Sequence, residues 1–321
     1  MVKDGQIIPR KSIGALADEL IAEEDMWTDF LSLQISPNTK RTYASALDHF
    51  FRQLTGEAVN PRQIQEFLNL SADGALAVVL RYRALLLELN LAPNTINTRL
   101  AAIKSLVNHA RKLHRCAYSL EDVTNVKVQK YRDTSGVDAH TYRQMLARID
   151  RETMAGKRDY AIMRLLWDNA LRQSEITQLN IEDWKVDQLW ICRKGKLERQ
   201  SVSLAVKTMS ALEDWVKTRA NPSPHEPLFI ALDNRAYGNR LSGRSLSYLV
   251  DRLATEVGIT KRMSTHRIRH SSITAYLDLT DGNVRNAQQL SGHAKLETLV
   301  IYDDRRRNLQ HSASISLSDL V

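Results

Sequence analysis

Residues 262–276 read RMSTHRIRHSSITAY, and residues 290–302 read LSGHAKLETLVIY. His266 and Arg269 stand at i and i+3, which places them on one face of the helix expected through THRIRHSSITAYLDL. His293 follows Leu-Ser-Gly, and Tyr302 lies nine residues beyond it. His266 and His270, at i and i+4 with His293 as a third donor, also fit a metal set, but no Asp, Glu or Cys at a helpful spacing completes one. The structural alternatives are a helix-capping or core role for His266 and a packing role for Tyr302. The residues further up the chain bear on the choice.

Arg172 lies in NALRQSEITQL, residues 169–179, between two expected helices, and its simplest use is to pair with Glu175. The helical period then lapses. Leu189 to Cys192 and Arg199 to Leu204 read as two short strands about a basic glycine turn, a hairpin that carries Lys194 and Lys196. Around it the apolar spacing predicts helices over 138–150, 158–170, 174–180, 207–219, 243–256 and 283–290. Arg244 opens the helix GRSLSYLVDRL, either as a reader of a DNA groove or in a structural ion pair.

Residues 12–115 read as a small all-helical unit. Ser36-Pro37 is a hydroxyl N-cap followed by proline at the first helical position, and Tyr43, Leu47, Phe50, Phe51 and Leu54 make one buried face after it. The opening recurs at Ala92-Pro93-Asn94-Thr95, before a face of Ile96, Leu100, Ile103, Val107 and Ala110. Apolar helices near 61–70 and 74–90 complete a bundle. At about 100° per residue, Asn97, Lys104, Asn108, Arg111 and Arg115 share one flank of the helix that begins at Pro93. Such a row suits DNA phosphates, and equally a solvated face. The period is lost over 116–136, which reads as an interdomain linker ending at Gly136, with 137–321 as the second domain.

The bulk numbers narrow the class. The 321 residues suggest two domains, and a chain of that length buries a core without staples. With 43% hydrophobic and 26% charged residues, disorder is excluded. Two cysteines, Cys116 and Cys192, exclude a disulfide scaffold or a four-thiolate zinc site. No apolar run has the length of a membrane span, and the start lacks a signal-peptide layout, so the cytoplasm, close to the nucleoid, is the expected compartment and no membrane partner is expected. The formal charge of +8 is compatible with nucleic acid. Dinucleotide, Walker, CxxC, HExxH and GxSxG motifs are all missing.

In order, ALRQSEI, KGK in a hairpin, HRIRH and LSGHAKLETLVIY resemble the motifs of the tyrosine recombinases, the phage integrase family, over about 137–305. The front segment, with SPNTKRTYASAL, is similar to the SAM-like core-binding domain of the Xer-type branch and adds Arg41 to the DNA-contacting candidates. The resemblance implies a mainly α chain with a small β-hairpin or sheet, its two domains forming a C-shaped clamp on DNA.

The resemblance also implies roles. Arg172 and Arg269 match the catalytic arginines, Lys194 the hairpin lysine (with Lys196 as alternative), and His266 the first histidine. His293 matches the second histidine, Tyr302 the nucleophile, and Glu175 an acidic position that orients Arg172. Ser291 departs from the usual apolar residue before Gly-His and is expected to affect packing more than chemistry. No cofactor and no metal are implied. The activity implied is site-specific recombination through a 3′-phosphotyrosine and a Holliday junction, with a type IB topoisomerase-like nicking-closing enzyme as the alternative. The implied partners are duplex DNA with inverted half-sites and a homotetramer on two duplexes, together with an accessory directionality factor. The tetramer would be joined by exchange of the apolar tail SASISLSDLV.

Overall fold

A computed structural model describes residues 2–3, 6–7, 26–34, 36–128, 136–193, 198–293, 314 and 317–319. The chain divides into two compact units, residues 1–132 and 133–321. In the first, Val2–Lys3 (β1) and Gln6–Ile7 (β2) form a short antiparallel pair. Five helices follow: α1 (Met26–Ser32), α2 (Pro37–Thr55), α3 (Pro61–Leu68), α4 (Ala72–Glu88) and α5 (Pro93–Lys112). Helix α2 starts as its sequence requires, with the Ser36 side chain accepting from the Thr39 N–H and Pro37 in the first turn. The α5 start has Pro93 without a side-chain cap at Ala92. Phe50 centres the core, its ring edge-on to Phe51, Phe67 and Tyr82.

The expected linker begins later than residue 116. Tyr118, Leu120 and Val123 are buried in the same core as α2 to α5, and Tyr118 Oη donates to Phe67 O at 2.7 Å. Irregular backbone laid on a helix must still satisfy its polar groups. Asn97 supplies both halves of one pairing, with Nδ2 donating to Val126 O at 2.9 Å and Oδ1 accepting from Val126 N at 2.8 Å. Lys104 Nζ donates to Val123 O. The segment through Val126 is therefore part of the helical unit.

The second unit holds α6 (Ala139–Ala147), α7 (Met154–Asp168), α8 (Gln173–Thr177), a 3-10 turn (Ile181–Asp183), β3 (Trp184–Lys185), β4 (Gln188–Cys192), β5 (Arg199–Ser203), α9 (Val206–Val216), α10 (Gly243–Glu256), α11 (Thr265–Leu279) and α12 (Val284–Ser291). The expected hairpin is the larger part of a three-stranded antiparallel sheet in the order β3-β4-β5, with Trp184 opposite Leu189 and Leu189 opposite Val202. Two residues of β3 are too few to show an alternating pattern. In β4, Leu189 and Ile191 point inward while Trp190 and Cys192 face out, and the alternation carries Arg193 inward after them. Trp215 of α9 is fully buried and donates from Nε1 to Leu228 O at 2.7 Å. Gly136 lies hard against α11: a Cβ there would stand 1.8 Å from Ser271 Oγ, and the Val137 N–H donates to that oxygen at 2.7 Å. Among the described residues no helix is long and apolar enough to cross a membrane.

Candidate active site

Four chain segments of the second unit meet at one basic cluster: the start of α8, α11, the turn that ends α12, and the end of β4. The first is the start of α8. Glu175, with a side chain only 1% exposed, accepts from the Arg172 N–H with Oε2 at 2.8 Å and from Arg172 Nη1 with Oε1 at 2.7 Å. One carboxylate thus starts the helix and tethers one edge of the guanidinium, whose side chain keeps 26% exposure. Just before it, Ala170 holds a left-handed backbone, φ +46°, and its carbonyl accepts from Arg269 Nη1.

The second segment is α11, capped by Ser264. Arg269 is 2% exposed, and its Nη2 donates to Ser291 O at 2.6 Å and lies 3.4 Å from His293 Nε2. His266, one turn earlier, is exposed. Desolvation of its packed side, followed by the charges of Arg269 and Arg172, holds its pKa below the ordinary imidazole value.

The third segment is the turn that ends α12. Gly292 takes φ +60°, a left-handed cap open to glycine. Ser291 is fully buried; its hydroxyl donates to Ala287 O at 2.7 Å and meets His293 Nδ1 at 2.8 Å. Gln288 Nε2 donates to His293 O at 3.0 Å. Burial first, then Arg269, Arg172, His266 and Arg193, push the His293 pKa down to about 4. Arg193, 6% exposed, donates from Nη1 to Ser291 O at 2.9 Å and stands 4.0 Å from Glu175 Oε1. Arg172 and Arg193 thus stand beside the Glu175 carboxylate, while Arg269 spends its guanidinium on the carbonyls of Ala170 and Ser291. Planar guanidinium forks gathered in this way suit an anion with paired oxygens.

The phage integrase family matches residues 136–308. A tyrosine recombinase of Synechocystis sp. is 50% identical over 291 residues, covering 89% of this chain and 92% of its own. The chain belongs to the phage integrase family. A tyrosine recombinase of Synechococcus elongatus is 45% identical, covering 97% of this chain and 99% of its own. In fold, the chain is similar to a lambda integrase dimer bound to a core site, with a TM-score of 0.63 at 14% identity over 93% of this chain and 98% of that one. It is similar also to the XerH recombinase in a post-cleavage complex with its substrate, with a TM-score of 0.61 at 20% identity over 86% of this chain and 79% of that one. The activity is that of a site-specific tyrosine recombinase, breaking and rejoining DNA strands.

Within this recombinase, Arg172, Glu175, His266, Arg269 and His293 come together across nearly the whole second unit. Lys194, Lys196 and Tyr302 lie outside the described residues. Arg244 is elsewhere, exposed on α10 in a cleft with Arg158, Tyr248 and Arg252. On the α5 flank, Asn97 pairs through both amide atoms with the Val126 backbone, and Lys104 gives one of its three donors to Val123 O. Asn108 and Arg111 are exposed, and Arg115 is half-buried. Arg41, exposed and bonded through Nη2 to Asn38 Oδ1 at 2.8 Å, shares an open groove with Arg99 between the starts of α2 and α5. Arg99 went unread in the sequence because it sits off the basic flank. His49 Nε2 holds its Nη1 at 2.9 Å, and the Tyr82 hydroxyl backs His49 Nδ1 at 2.8 Å. Ser291 also does more than pack, since its hydroxyl orients the His293 ring.

Proposed function

We propose that this recombinase cuts duplex DNA at paired inverted half-sites by attack of Tyr302 on a phosphodiester held by Arg172 and Arg269. The observation that carries this reading is the gathering of Arg172, Arg193 and Arg269 in one cluster, with Arg172 tethered to Glu175 through Nη1 and its side chain still 26% exposed. A phosphodiester repels nucleophiles, and attack adds charge to its non-bridging oxygens. Guanidiniums stay protonated and grip two oxygens at once, so they supply the charge a divalent cation would. Loss of either arginine should raise the barrier by about 3–4 kcal/mol.

His266, neutral at pH 7 because its pKa is lowered, has a lone pair free for the phenolic proton of Tyr302. The phenolate oxygen forms a bond to phosphorus as the bond to the 5′-oxygen breaks. Lys194, or Lys196, protonates that leaving oxygen. The product is a 3′-phosphotyrosyl ester and a free 5′-hydroxyl. A phenol, of pKa about 10, departs more readily than a sugar alkoxide, so a 5′-hydroxyl from a partner strand can reverse the step through a Holliday junction. His293 hydrogen-bonds the phosphate. Arg41, Arg99, Asn108 and Arg111 contact the DNA backbone, and four protomers assemble on two duplexes, in the cytoplasm. The helical core-binding domain and the catalytic domain each contact the duplex.

The test is a nicked suicide duplex carrying the DNA that flanks the gene. The wild-type chain should be captured covalently, and Tyr302→Phe should bind the same duplex without an adduct. An adduct that persists in Tyr302→Phe removes the assignment.

A further inference from the structure

Arg193 is the third guanidinium of the cluster and stands outside the residues matched to the family motifs. Strand β4 aims it inward through the alternation of Leu189 and Ile191. Its Nη1 donates to Ser291 O at 2.9 Å, the same oxygen that accepts from Arg269 Nη2 at 2.6 Å. Both lone pairs of that carbonyl are thereby used. The guanidinium lies flat on the next residue: a Cβ added at Gly292 would stand 2.0 Å from Arg193 Nη1 and 2.2 Å from Cζ. Together with φ +60°, that contact leaves glycine as the residue for this turn.

We propose that Arg193 is a positioning residue that pins the Ser291–Gly292–His293 turn to the end of β4 and so fixes where His293 meets the substrate phosphate. The inference rests on the reading of this cluster as the strand-cutting site. The geometry asks for arginine specifically. One planar fork reaches the carbonyl, covers Gly292 and stays within 4.0 Å of Glu175, whereas a lysine offers a single point charge. Among the described residues, the groups that face His293 include Arg269 and His266 from α11, Arg172 from the start of α8, Arg193 from β4, and Ser291 and Gln288 from α12. Arg193 is thus one of the cations that keep His293 neutral until the phosphate binds.

Two variants of the full chain, Arg193→Gln and Arg193→Lys, separate charge from shape. Two readouts are needed: the NMR titration of the His293 ring in the free protein, and the rate and pH profile of adduct formation on the nicked duplex. In Arg193→Gln the His293 titration should move up from about 4 toward the ordinary imidazole value, with its acid limb moving alike. Adduct formation should slow on the order of 100-fold while duplex affinity stays within about threefold. Arg193→Lys should keep the low titration yet remain about tenfold or more below the wild-type rate.

Wild-type titration and wild-type rates in both variants would overturn the proposal. If Arg193→Gln does not fold, the lysine variant decides alone, and an undiminished rate overturns it. A wild-type chain that forms no adduct would instead sink the reading of the site, while the His293 titration would still report whether Arg193 holds the turn.

Discussion

The Ser291 hydroxyl donates to Ala287 O, so the proton between it and His293 belongs to Nδ1, and the Nε2 lone pair faces Arg269. On the proposed reading, a phosphate entering the cluster would bring negative charge, raise the His293 pKa and give Nε2 the proton it needs to act as a donor. Ser291→Ala leaves Nδ1 without this partner and should cost about 1 kcal/mol in urea unfolding while slowing adduct formation. Unchanged cleavage would return Ser291 to a packing role. The His293 shift also fixes a sign. Its folded pKa of about 4 lies below the imidazole value of 6.5, so the unfolded chain binds the extra proton and stability falls as pH drops from about 6.5 toward 4. His293→Gln should lessen that fall, read from urea midpoints at both pH values; an identical fall rules the shift out. The motif residues Arg172, His266, Arg269 and His293 were legible because each lies in a short, ordered motif. Arg193 was not, because beside Lys-Gly-Lys it reads as one more charge on a turn; only the inward alternation of Leu189 and Ile191 signals it.

Helix α5 shows how far a periodic pattern reaches. Its apolar face, Ile96, Leu100, Ile103 and Val107, is buried as its spacing requires. Its polar flank looked uniform but splits in two, because Tyr118, Leu120 and Val123 bring an irregular segment down over part of it. Periodicity describes one helix and carries no information about what a later loop lays on it. The strand β3 escaped for a related reason, since two residues have no period. The split is measurable. Asn97→Ala removes two bonds to the Val126 backbone and should destabilise the helical unit by about 1–2 kcal/mol while leaving the salt dependence of DNA binding unchanged. Arg99→Ala and Arg111→Ala should do the reverse, each flattening the salt slope by about one phosphate with little change in stability. A salt slope altered by Asn97→Ala, or unaltered by both arginine variants, would reverse these assignments.

Across the whole molecule, each unit has its own core, so the +8 charge and the basic cluster are carried by bodies that can each fold around their own apolar residues. The two-domain, mainly helical plan was legible from helix openings and the change of period at the hairpin; the boundary was not, because polar composition near 130 hid the apolar anchors at 118 to 123. The proposed pairing of two sites calls for more than one chain, and the tail is the candidate for how chains would join. Ile315, Leu317, Leu320 and Val321 are apolar, and Leu317 is 65% exposed in the single chain. Covering such residues against a neighbour, each protomer giving its tail to the next, builds a closed ring of heterologous contacts. A chain shortened by residues 309–321 should therefore still form the tyrosyl adduct on one nicked site, because Arg172, Arg269, His293 and Tyr302 all precede residue 309. It should fail to join strands between two duplexes, as read on a gel with one duplex labelled. Joining that survives the deletion removes the tail from assembly. If the full-length chain relaxes supercoiled DNA that carries a single site, the nicking-closing alternative replaces paired-site exchange, because that chemistry needs the same phosphate grip and no partner duplex.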